Sequence, residues 1–189
     1  MLWRVGILVL AFLAALPAVA DEPDSDEAAA AWKMYEVDFF YMGFTTRYTC
    51  GGLKSKVRLL LNHVGVRPDM KIMERGCEYG YQKVADFPHL KMVFYAPEIP
   101  EPGSHDVGEP VPGLWKSVSI KRNAPRGLDL GDCELVEQFR DRVLSKLTMR
   151  NVAGDINCIP HQLIGNRIDL RFQVLTGAPT ADVVEALSP

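Results

Sequence analysis

The sequence predicts an α+β fold: two successive β-α-β-β units forming a largely antiparallel sheet, with two helices on one face. A ferredoxin-like core with extra edge strands is the alternative. Three observations predict it. Strand-like alternation and helix-like spacing follow one another as strand, helix, strand, strand, and then do so again. A cysteine heads both helical stretches, "CGGLKSKVRLLLNHV" from Cys50 and "CELVEQFRDRVLSKL" from Cys133. Landmarks also recur at near-constant spacing: Trp32 to Trp115 and Cys50 to Cys133 are each 83 positions, and Cys77 to Cys158 is 81.

The N-terminus indicates an address. Arg4, the apolar run "VGILVLAFLAAL" and the small-residue pattern Ala18-x-Ala20 read as a signal peptide over residues 1–20. The run is shorter than the roughly 20 apolar residues a spanning helix needs. Cleavage after Ala20 would leave 189 − 20 = 169 residues, periplasmic or secreted, with no membrane span. Residues 21–31, "DEPDSDEAAAA", read as a flexible acidic lead-in. A formal charge of −3 without a basic run argues against nucleic acid as a partner.

The first unit spans 32–97. Tyr35, Val37, Phe39 and Tyr41 alternate onto one face of a strand. Leu53, Val57, Leu60, Leu61 and Val64 then mark the inner stripe of a helix, with Gly65 as its stop. "MKIMERGC" and "HLKMVFYA" follow as strands. Residues 98–113 hold prolines and glycines that exclude a helix or a central strand, so they read as a linker. The second unit, 114–189, begins with the strand "LWKSVSIKR". Its helix carries Val136, Phe139, Val143 and Leu147 inward. Counted from Cys50 and Cys133, both helices place apolar residues at offsets 3, 10, 11 and 14. "MRNVAGDINC" reads as a weaker strand broken at Gly154, and "RIDLRFQVL" as the clearest strand of the chain. Thr180 would cap a short terminal helix.

Four cysteines in an exported chain read as two disulfides. The pairing that respects the repeat is Cys50–Cys77 and Cys133–Cys158, each joining a helix start to the following strand end. Each would contribute about 3.5 kcal/mol through loop closure. There is no C-x-x-C, and Cys158 with His161 alone lacks the paired spacing of a zinc site. No metal or cofactor is implied.

No nucleophile elbow, P-loop or zinc-protease motif occurs. His63 suits the last turn of its helix, while His89 and His105 have no second ligand at metal-binding spacing. The candidate ligand surface is the segment before the first helix, Thr45, Thr46, Arg47 and Tyr48, because helix N-termini receive anions. The proposed Cys50–Cys77 bridge would bring Tyr79 and Tyr81 beside it. The competing reading is a strand-to-helix loop with Thr49 as cap.

"GFTTRYTCGGL" followed by "GC" resembles a family of exported proteobacterial proteins that carries no established activity. The resemblance implies export and paired cysteines. The expected function is that of a non-catalytic, disulfide-stabilised binding or interaction protein of the cell envelope, its partner an unknown protein or a small anionic ligand. The alternative is a hydrolase-like envelope enzyme whose groups come from distant segments.

Overall fold

The computed structural model of the chain describes residues 26–76, 84–85, 87–103 and 108–178. Alternation in the first strand sets the layering. Val37, Phe39 and the following Tyr41 are buried, while Glu36, Asp38 and Phe40 are exposed. One face of the strand therefore joins the core and the other does not.

Among the described residues, six strands form one antiparallel sheet: β1 (Glu27–Phe40), β2 (Lys71–Arg75), β3 (His89–Glu98), β4 (Pro110–Lys121), β5 (Met149–Asn157) and β6 (Arg167–Gly177). Their order is β2-β3-β1-β4-β6-β5. Helix α1 (Cys50–Val64) and helix α2 (Cys133–Arg142) pack on the same face. Leu53, Leu60 and Leu61 of α1 and Val136 and Phe139 of α2 share one core with Leu90, Met92, Phe94, Ile120, Leu170 and Phe172 of the strands. Shortening such a fully buried leucine to alanine typically costs about 2–5 kcal/mol.

Helix α1 has the expected ends. Thr49 caps it by accepting a hydrogen bond from Gly52 N at 3.0 Å, and Gly65 closes it at φ 87°. Helix α2 is shorter than its apolar spacing suggests. It ends at Arg142, and a 3-10 turn over Leu144–Lys146 follows. Val143 and Leu147 flank that turn and still reach the core.

Three strand boundaries differ from expectation. Residues 27–31 belong to β1 rather than to a flexible lead-in. Alanine is small enough there for close strand approach, and Ala30 and Ala31 are buried. The linker is correspondingly shorter, because β3 runs to Glu98 and β4 starts at Pro110. Glu109 O accepts from Trp32 N, whereas Pro112 O accepts from Ala178 N. Odd residues of β4 thus address β1, and Pro110 and Pro112 direct their missing N–H groups to the other side. The ladder with β6 reaches only Gly113, so two prolines fit at the centre of the sheet. Finally, β5 is not broken at Gly154. Its register shifts between Arg150 and Ala153, with Asn151 at φ 56°. Gly154 lies at φ 94°, where a Cβ would stand 2.0 Å from Asp169 O, so the ladder passes through glycine there.

Strands β1 and β4 pair over five positions only, from Glu27↔Leu114 to Ala31↔Pro110. Cys133 and Cys158 form a disulfide with 5.6 Å between Cα atoms. That bond excludes a bridge from Cys50 to Cys133. Cys50 is itself disulfide-bonded, while its expected partner Cys77 lies outside the described residues. His105 and the terminal helix near Thr180 also lie outside them. No described helix is long and apolar enough to cross a membrane.

Candidate functional site

The segment from Tyr41 to Thr49 leaves β1 and docks on the head of α2. Tyr41 Oη donates to Thr46 O at 2.8 Å, and its ring meets Tyr48 edge-on at 5.1 Å. Met42 N donates to Gln138 Oε1 at 3.1 Å, and Gln138 Nε2 donates to Met42 O at 2.7 Å. The backbone N–H groups of Phe44 and Thr45 both donate to Glu134 Oε2, at 2.9 Å each. These two N–H groups are thus taken up by the protein's own Glu134 side chain rather than left for a ligand. Glu134 is only 5% exposed.

A second buried acid stands beside it. Asp132, 2% exposed, accepts from the Tyr48 hydroxyl, from Lys56 Nζ at 2.6 Å and from Asp129 N at 2.8 Å. Lys56 also donates to Gly127 O at 2.7 Å. Burial pushes the Tyr48 phenol far up, and the hydrogen bond to Asp132 adds to it. The phenol stays protonated and donating, which suits a joint rather than a base. A buried acid with this many partners is satisfied.

Of the candidate residues, Thr45 and Thr46 are partly buried in this joint, Tyr48 is buried in it, and Arg47 is exposed. Thr45 Oγ1 is buried without a hydrogen-bond partner. Tyr79 and Tyr81 lie outside the described residues. Sequence reasoning missed Lys56, Asp132, Glu134 and Gln138. The signal available was the Asp129-x-x-Asp132 spacing, which forms a capping box at the turn before α2. Among the described residues, no three His, Cys, Asp or Glu side chains gather into a metal-binding group.

The other face of the sheet carries no described helix. Arg67 lies over the rings of Tyr95, at 4.0 Å, and Trp32, at 5.2 Å. Arg150 lies over Trp115 at 4.3 Å, and its Nε donates to Gln173 Oε1 at 2.7 Å. Between the two tryptophans sits a small apolar cluster of Ala30, Val111 and Leu175. Next to Trp115 a groove of about 380 Å³ opens over β4, β6 and β5, lined by Ser117, Ser119, Asn151, Arg171 and Gln173 together with Val118 and Phe172. A second cleft mixes Glu36, Asp38 and Asp141 with Arg142 and Lys146, so it presents no single sign of charge.

Compared with known protein families, curated proteins and solved structures, the chain matches none.

Proposed function

We propose that the chain is an exported binding protein, stabilised by disulfides, that contacts its partner through the open face of its sheet. The observation that carries this reading is the contrast between the two faces. The charged groups Glu134, Asp132 and Lys56 and the Tyr48 phenol of the loop-to-helix joint are engaged within it, whereas the open face presents a groove with hydrogen-bonding side chains. Export is supported by the signal-like residues 1–20 and by a cysteine bridge suited to an oxidising compartment.

Duplication of a β-α-β-β unit is part of the same reading. Supporting it, Trp32 to Arg67 and Trp115 to Arg150 are both 35 positions (67 − 32 and 150 − 115), and both pairs stack. The hydrogen bonds Trp32 N to Glu109 O and Trp115 N to Asp26 O are equivalent at the 83-residue offset.

The enzyme alternative has one observation in its favour: Tyr48, Lys56 and Asp132 converge from distant segments. Their mutual bonding and the raised phenol favour a structural role. Crosslinking in the envelope with photoreactive groups at Ser117 and, separately, at Arg47 tests the reading. Specific adducts from Ser117 support it; adducts confined to Arg47 would overturn the choice of face. Mass measurement of the recovered protein checks cleavage after Ala20.

A further inference from the structure

We infer that the groove over β4, β6 and β5 is an oxyanion site, taking a phosphate or carboxylate group; this rests on the open face being the binding surface. The two halves of the sheet provide an internal comparison. Trp32 pairs with Pro97 in the ladder of β1 and β3, and Trp115 pairs with Leu175 in that of β4 and β6. Two residues further along, Met34↔Tyr95 takes the place of Ser117↔Gln173. Two further still, Glu36↔Val93 takes the place of Ser119↔Arg171. The first half thus fills this region with bulk and one acid. The second half replaces them with two small hydroxyls, an amide and a guanidinium. Ala153, opposite Arg171 on β5, adds no bulk on that side.

The hydrogen-bonding inventory of the groove fixes the ligand class. Gln173 Oε1 is occupied by Arg150 Nε and by Asn151 Nδ2, at 3.0 Å from the latter. The Gln173 amide nitrogen therefore faces any ligand as a donor. Among the described residues, neither Ser117 nor Ser119 uses its hydroxyl in a hydrogen bond. Arg171 Nε lies 3.4 Å from Asp169 Oδ1, a contact that leaves its terminal nitrogens to make a forked pair with an oxyanion. The bulge at Asn151 sets that residue over Gln173 and holds the amide in place. The guanidinium of Arg171, with the Gln173 amide and two hydroxyls able to donate beside it, favours an oxyanion, and the shallow groove favours one carried on a larger ligand.

Side-chain NMR of the purified exported chain tests this, with inorganic phosphate, acetate and phosphatidylglycerol vesicles as separate probes. Saturable shifts of the Arg171 Nε–H and Gln173 amide signals with phosphate or acetate are expected, and the stronger of the two names the group. Vesicle binding that needs Arg171 would place that group on a lipid headgroup. Arg171→Gln should weaken binding about ten-fold or more. Ser117→Met with Ser119→Glu, which installs the first-half residues, should abolish it, while Arg167→Gln on the same strand should leave it intact. Absence of saturable shifts with all three probes, or equal binding by Arg171→Gln, would overturn the inference. A partner crosslinked from Ser117 that is retained by Arg171→Gln would remove the oxyanion site and leave the open-face reading standing.

Discussion

The Tyr48 hydroxyl donates a hydrogen bond to Asp132, a side chain 84 residues further along the chain and almost wholly buried. The bond joins the loop before α1 to the turn before α2. Asp132 is also the anchor of Lys56, so one carboxylate holds two groups from the first half.

Removing that hydroxyl should weaken the joint without emptying it. Tyr48→Phe keeps the ring and its contact with Tyr41, and should lower unfolding free energy by about 1.5–3 kcal/mol in urea titration. Asp132→Ala should cost more, about 3–5 kcal/mol, because it leaves a partly buried lysine without its counter-charge. Equal losses for the two variants would argue that Lys56 contributes nothing through Asp132.

Alkaline pH should loosen the same joint. Burial foremost holds the phenols of Tyr41 and Tyr48 above the ordinary value of 10.0, with the Asp132 hydrogen bond second for Tyr48. A group whose folded pKa is raised contributes stability that is complete below its unfolded pKa and is lost as pH climbs. Stability should therefore fall above about pH 10. Tyrosinate absorbance should show two phenols ionising only as the protein unfolds. In Tyr48→Phe the decline should be shallower; an identical slope would contradict the assignment.

Glu134 offers a sharper probe of the loop. Glu134→Gln retains an acceptor oxygen, whereas Glu134→Ala leaves the Phe44 and Thr45 N–H groups unbonded. Hydrogen exchange at those two amides should accelerate in both variants and further in Glu134→Ala, with about 1–3 kcal/mol lost in the latter. Unchanged protection of Phe44 and Thr45 would show that the carboxylate does not hold them.

The bridge between Cys133 and Cys158 closes a sequence separation of 25 residues. Its replacement by Cys133→Ser with Cys158→Ser should cost about 3–3.5 kcal/mol in the chain-entropy account. The loss should also propagate to the loop, since Cys133 lies between Asp132 and Glu134. Measuring exchange at Phe44 in this variant separates a local effect from a shared one.

The layering of the sheet was legible from "YEVDFFY" and "RIDLRFQVL", because a strand with one buried face must alternate. The ends of α1 were legible in Thr49 and Gly65, whose side-chain chemistry acts within a turn. The prolines at 110 and 112 misled because their tolerance depends on which neighbour their nitrogens face, and that needs the ladder. The joint of Tyr48 with Asp132 and of Phe44 with Glu134 leaves no periodic trace, being formed by single residues far apart in the chain. The groove was invisible for a related reason: Ser117 and Ser119 acquire meaning only once register sets them beside Gln173 and Arg171.

The short ladder at the centre of the sheet has a consequence for how the molecule can be handled. Asp26 is tied to Trp115 and Ala178 to Pro112, so the two ends of the described chain meet the same strand three residues apart. Asp26 lies on the β1 side of β4 and Ala178 on the β6 side, so about 10 Å along the strand adds to about 10 Å across it. A short linker from 178 to 26 would close the polypeptide into a ring, and new termini could then be opened at an exposed turn such as 122–127. A carrier or surface attached at residue 26 or residue 178 would grip the protein by its middle.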